Sequence, residues 1–84
     1  MASYQILYWQ DIPSQVKAWD DCDEVKVELS QRFAARIDQA ATAQGLTGTD
    51  DYLAQWHWAE PVERAGTAAD VAEAVRRELE AARA

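Results

Sequence analysis

The chain has 84 residues, with fifteen acids against eight bases and a formal net charge of −7. Its 49% apolar content is too high for disorder, and its length suits one domain, residues 1–84, with a thin core. The acidic balance, with a pI near 4.4, argues against a nucleic-acid partner and against an anionic membrane surface, because no surplus of Lys and Arg exists to neutralise phosphates.

A single cysteine, Cys22, allows no internal disulfide, and no apolar run reaches the about 18 residues of a membrane span. Met1-Ala2-Ser3-Tyr4 has neither the basic start nor the apolar block of a signal peptide. A soluble, cytoplasmic protein is the expectation.

The chain opens with β-branched and aromatic residues, and Ser3 to Gln10 reads as a strand. Asp11-Ile12-Pro13-Ser14 reads as a turn, since Pro13 fixes its own φ and extends Ile12. Gln15 to Trp19 alternates polar and apolar, which completes a hairpin. After the polar break Asp20 to Glu24, the alternation resumes over Glu24-Val25-Lys26-Val27-Glu28, either as a short strand or as an extended lead-in.

Ser30 has the character of a helix N-cap, and Phe33, Ile37, Ala40, Ala41 and Gln44 then recur at helical spacing. Gly45 followed by Leu46 reads as a C-terminal cap with an apolar latch. Thr49 or Asp50 caps a short turn through Tyr52, Leu53 and Ala54. Trp56 to Glu60 has strand composition, with Pro61 at its end or edge. Thr67-Ala68-Ala69-Asp70 has capping-box spacing, and Val71, Ala72, Val75, Leu79 and Ala82 form the apolar stripe of a final helix. On that helix Glu73 with Arg77, and Arg76 with Glu80, stand four residues apart. The order ββαβα predicts an α+β fold: a small antiparallel or mixed sheet with two helices packed on one face.

That layering leaves one sheet face without a helical cover, while the chain carries four tryptophans. In the first strand Tyr4, Ile6 and Tyr8 alternate with Leu7 and Trp9, so both faces are apolar. Trp56 and Trp58 are expected to share a face, with His57 opposite. Trp9, Trp19, Trp56 and Trp58 are therefore the candidate binding surface, for a protein partner or a second copy of the chain. The competing reading is a thin core that uses large side chains.

Chemistry is weakly signalled. Asp20 to Glu24 lacks the glycine and the ligand spacing of a calcium loop. His57 and Cys22 fall short of a zinc ligand set, and no nucleophile–base arrangement or phosphate-cradling glycine loop stands out. No catalytic residue, metal ligand or cofactor is assigned, and enzymatic activity stays open. The rival function is a small-molecule or cofactor-binding accessory protein, or a weak enzyme. Its cleft would be lined by His57, Trp58, Glu60 and Arg64 between the sheet edge and the helices.

Three stretches match a family pattern in order. They are Tyr8-Trp9-Gln10-Asp11-Ile12-Pro13-Ser14-Gln15-Val16; then Leu29-Ser30-Gln31-Arg32-Phe33 with Ile37-Asp38 and Ala40-Ala41; then Gly45-Leu46-Thr47-Gly48-Thr49-Asp50 with Tyr52-Leu53 and Trp56. On these residues the chain resembles the small bacterial "virulence factor" domain family, with Ser30 where that family often has Pro. The resemblance implies a compact bacterial module, found alone or as a segment of a larger protein, and supplies no active site. It also draws attention to Asp11, Pro13, Gln15, Arg32, Phe33 and Asp38, over the hairpin turn and first helix. There Arg32 and Arg36 could pair with Asp11 across the turn or with Asp38 along the helix.

Overall fold

The computed structural model describes residues 1–81. Its elements run β1 (Ala2–Trp9), β2 (Ile12–Trp19), β3 (Glu24–Glu28), α1 (Gln31–Ala43), α2 (Asp50–Ala54), β4 (Trp56–Trp58), β5 (Val62–Arg64) and α3 (Ala68–Ala81). All five strands join one antiparallel sheet in the order β3-β2-β1, with β4 and β5 both on the far side of β1. The α+β class is therefore as expected, with a third strand, a short helix and a divided edge strand added to the expected order.

The first turn is tighter than the sequence suggests. It occupies Gln10 and Asp11, with Gln10 at φ 55, and β2 already begins at Ile12. Pro13 thus lies inside a strand, opposite Tyr8, at a register shift that leaves Ser14 without a partner on β1. Because β3 runs alongside β2 only from Gln15 to Trp19, Pro13 sits where no second neighbour needs its missing N–H. The alternation over Glu24 to Glu28 is a true strand.

At the opposite edge, β4 pairs with Leu7 to Trp9 and β5 with Ala2 to Tyr4. They are two halves of one edge strand, broken at Ala59-Glu60-Pro61. The Ala59 N–H still donates to the Ile6 carbonyl at 2.9 Å, and the Gln5 amide donates to the Ala59 carbonyl at 3.1 Å. Pro61 ends the first half, as its chemistry requires.

Along β1 and β2, the residues Ala2, Ile12, Val16 and Ala18 are buried and join one core with Phe33, Ile37 and Ala41 of α1 and Val71, Ala72 and Val75 of α3. Both long helices therefore cover the same side of the sheet. Burying side chains such as Phe33 and Ile37 contributes about 1.5–3 kcal/mol each. The interleaved residues Ser3, Gln5, Leu7, Gln15, Lys17 and Trp19 point to the other side, and none of them is buried.

The caps show what stops each helix. Gly45 at φ 71 ends α1: its N–H reaches the Thr42 carbonyl, and the Leu46 N–H reaches that of Ala41. Leu46 folds back onto the core as the expected latch. Ser30 occupies the N-cap position, but its side chain makes no cap bond; the hydroxyl donates to Glu80 at 2.8 Å instead. The Thr49 hydroxyl accepts from the Tyr52 N–H and caps α2. At α3 only half of the capping box forms, with the Asp70 N–H donating to the Thr67 hydroxyl. Leu79 packs on the core as expected, and Ala82 lies outside the described residues.

Candidate interaction face

The four tryptophans divide into two pairs, each fixed by strand register. Trp9 is fully buried, its indole N–H donates to the Tyr52 carbonyl at 3.0 Å, and its ring tilts against Tyr52 at 5.6 Å. It is a core residue and leaves the proposed surface. Trp56, opposite Trp9 in the ladder, meets Tyr52 edge-on at 6.2 Å and packs against the same core. The cause is the register shift at Leu7/Tyr8. It twists the end of the hairpin so that Trp9 turns inward together with Ile12, its partner across the turn.

Trp19 and Trp58 remain on the helix-free face, so Trp56 and Trp58 do not share a side. Trp58 stands opposite Leu7 and is 40% exposed. Trp19 lies two residues from Lys17 on β2. The Lys17 ammonium is 4.9 Å from the Trp58 ring and 5.5 Å from the Trp19 ring. A cation held against two indoles in this way is worth about 0.5–1 kcal/mol per ring at an exposed site.

Lys17 is also directly opposite Lys26 on β3. These are the only two lysines in the chain. Like charges in facing positions destabilise a sheet, and the lean of Lys17 towards the indoles draws its charge away from Lys26. Glu24 and Glu28 flank Lys26 on the same side of β3. The open face is thus aromatic and cationic at its centre and acidic at one margin. Neither lysine stands out in the sequence; only the register brings them together.

The residues of the rival cleft do not converge. His57 lies at one end of β1, where it stacks on Tyr8 at 5.8 Å, and Arg64 lies at the other end, opposite Ala2. Ala2 and Tyr8 are six steps apart along β1, which places the backbone positions of Arg64 and His57 about 20 Å apart. Glu60 is exposed in the break between the strand halves. Arg64 pairs with Glu78 of α3 at 2.6 Å, a contact that raises the Arg64 pKa and lowers that of Glu78.

The remaining ionic groups tie elements together. Asp20 accepts from the N–H groups of Ala68, Asp23 and Cys22, and these bonds lower its pKa. It thereby fastens the β2–β3 turn to the first residue of α3. Glu80 accepts from the Ser30 N–H and hydroxyl, which lowers its pKa as well. Arg32 reaches Glu80, and among the described residues neither Arg32 nor Arg36 forms an ion pair with Asp11 or Asp38. Glu73 pairs with both Arg76 and Arg77 and falls to about 2. The spacing of Glu73 and Arg77 is therefore used, while Arg76 turns to Glu73 rather than Glu80.

Among the described residues no His, Cys, Asp and Glu cluster has the makings of a metal site, and Cys22 is exposed. A surface hollow of about 690 Å3 lies between α1 and α2, lined in part by Asp38, Thr42, Thr47, Thr49 and Asp50. It offers hydroxyls and carboxylates but no cation. Among the described residues no helix is long and apolar enough to cross a membrane.

A family model described as "Virulence factor" matches residues 7–83. No curated protein and no solved structure matches the chain.

Proposed function

This chain belongs to the virulence-factor family, and we propose that it works there as a non-catalytic protein-interaction module whose partner lies on the helix-free face of the sheet. The observation that supports this reading is the arrangement of Trp19, Lys17 and Trp58. Two partly exposed indoles with a cation between them lie on a face that no element among the described residues covers. Trp and Tyr anchors surrounded by polar residues are the usual centre of a protein interface, because large rigid rings bury much area at little entropic cost. The polar surroundings here are Gln5, Gln15, Lys26 and Glu24.

Site-specific photo-crosslinking in the native host tests this. A photoreactive phenylalanine analogue at Trp58 is expected to give a discrete adduct with one partner protein. The same analogue at Gln39, exposed on α1, is expected to give none. Equal labelling from both positions, or no adduct from Trp58, would overturn the assignment.

A further inference from the structure

The outer edge of β3 points to a second copy of this chain, and this goes beyond the reading of the open face. We infer that two chains pair antiparallel through β3, in the register centred on Val27.

The two edges of the sheet differ. One is made of β4 and β5, three residues each, interrupted at Ala59-Glu60-Pro61. Short strands, a break and a proline are the usual means of blocking edge-to-edge addition. The other edge, β3, is five residues of regular strand with neither Pro nor Gly, and among the described residues nothing pairs with its outer side.

Backbone parity defines what β3 offers. The Leu29 N–H donates to the Ser14 carbonyl, one step beyond the Gln15–Glu28 end of the β2–β3 ladder and in the same alternation. In an antiparallel ladder the bonded pairs alternate, so Val27 and Val25 also bond to β2. Glu24, Lys26 and Glu28 then direct their N–H and C=O groups outward. Any added antiparallel strand must bond to those three residues.

Of the symmetric registers with this parity, those centred on Val25, Lys26 and Val27 pair three or more residues of β3 with β3 of the second copy, and side chains separate them. Centred on Lys26, the pairing sets Lys26 against Lys26 of the second copy and Glu24 against Glu28, so every charged pair repels. Centred on Val25, it sets Glu24 against Lys26 but leaves Val27 opposite Asp23. Centred on Val27, it sets Lys26 against Glu28 twice on the open face. On the helix side it sets Val25 against Leu29, the core residue just past the end of β3, twice, and Val27 against itself. Only this last register is complementary on both faces. It also brings a carboxylate to Lys26, whose neighbour within the chain is Lys17. The two open faces, each with its Trp19–Lys17–Trp58 set, become one continuous surface.

Sedimentation equilibrium of the whole chain over a range of concentrations tests the pairing. The wild type is expected to approach twice the 9.4 kDa chain mass as concentration rises. Lys26→Glu and Glu28→Lys are each expected to stay at the monomer mass, and the double swap to recover the dimer. Lys26→Glu sets a carboxylate opposite Lys17 and between Glu24 and Glu28, and recovery of the dimer in the double swap shows that its loss in the single variant comes from the pairing and not from loss of the fold. Trp58→Ala is expected to leave the dimer intact, which separates this pairing from partner binding at the open face. A wild type that is monomeric throughout, single swaps that still dimerise, a double swap that stays monomeric, or a dimer lost in Trp58→Ala would each overturn the inference.

Discussion

The two faces of this sheet contrast sharply, although they are built from the same strands. On β2, Val16 and Ala18 are fully buried beneath the helices, while Lys17 and Trp19, one residue away in each case, stay on the open side. The covered face supplies the cohesion of the fold. The open face carries large rings and a facing pair of like charges, features that add little to folding. A chain this small has no spare core to waste, so the concentration of costly side chains on one face argues for recognition.

The largest effect that would sharpen this contrast belongs to Trp9. Trp9→Ala removes a fully buried ring and is expected to cost about 3–5 kcal/mol in urea unfolding. Trp9→Phe keeps most of the volume and loses the indole bond to the Tyr52 carbonyl, which still accepts from the Gln55 N–H, and should cost less. Asp20→Ala comes next, because the buried first residue of α3 loses the acceptor for its N–H. A fall of several degrees in the thermal midpoint is expected, with the sheet otherwise intact.

Trp58→Ala should change stability by only about 0.5–1 kcal/mol, the worth of its contact with Lys17, and yet abolish partner recognition. A loss as large as that from Trp9→Ala would dissolve the distinction between the faces.

The smallest effect is in acid. Glu73 is held down to about 2 from an ordinary 4.5, chiefly by its hydrogen bond to Arg76 and then by that to Arg77. A carboxylate with a lowered folded pKa stabilises above its unfolded value, and that contribution is lost as pH falls through the folded value. Thermal midpoints should therefore decline between pH 4.5 and about 2, and Glu73→Gln should make that decline slightly shallower. Asp20 acts in the same direction, since its pKa is lowered by backbone donors from a usual 3.8.

Much of the frame was legible in the amino-acid sequence, because helices announce themselves through local period and caps. The stripe of α3 and the Gly45-Leu46 stop of α1 both appear as read. Strand ends were harder. Pro13 looked like a turn residue because a proline usually interrupts a ladder, but the register shift and the short reach of β3 leave its missing N–H without consequence. Pro61 looked like the end of the last strand, which hid its continuation over Val62 to Arg64.

The candidate face was legible only in part. Two of the four indoles do lie on the uncovered side, as the layer count implied. The turn of Trp9 into the core depends on the irregularity at Leu7/Tyr8, which no local pattern announces. The meeting of Lys17 with Lys26, and of Lys17 with Trp58, depends on register between strands distant in sequence. Ser30 teaches the same lesson: its position marks a helix start, but its hydroxyl is taken by Glu80, 50 residues away.

The division of the four indoles is tested most directly by hydrogen exchange at their ring N–H groups, followed by NMR on the free protein. Slow exchange is expected at Trp9, whose N–H is held by the Tyr52 carbonyl, and fast exchange at Trp19 and Trp58. Protection of Trp19 and Trp58 to the level of Trp9 would contradict it.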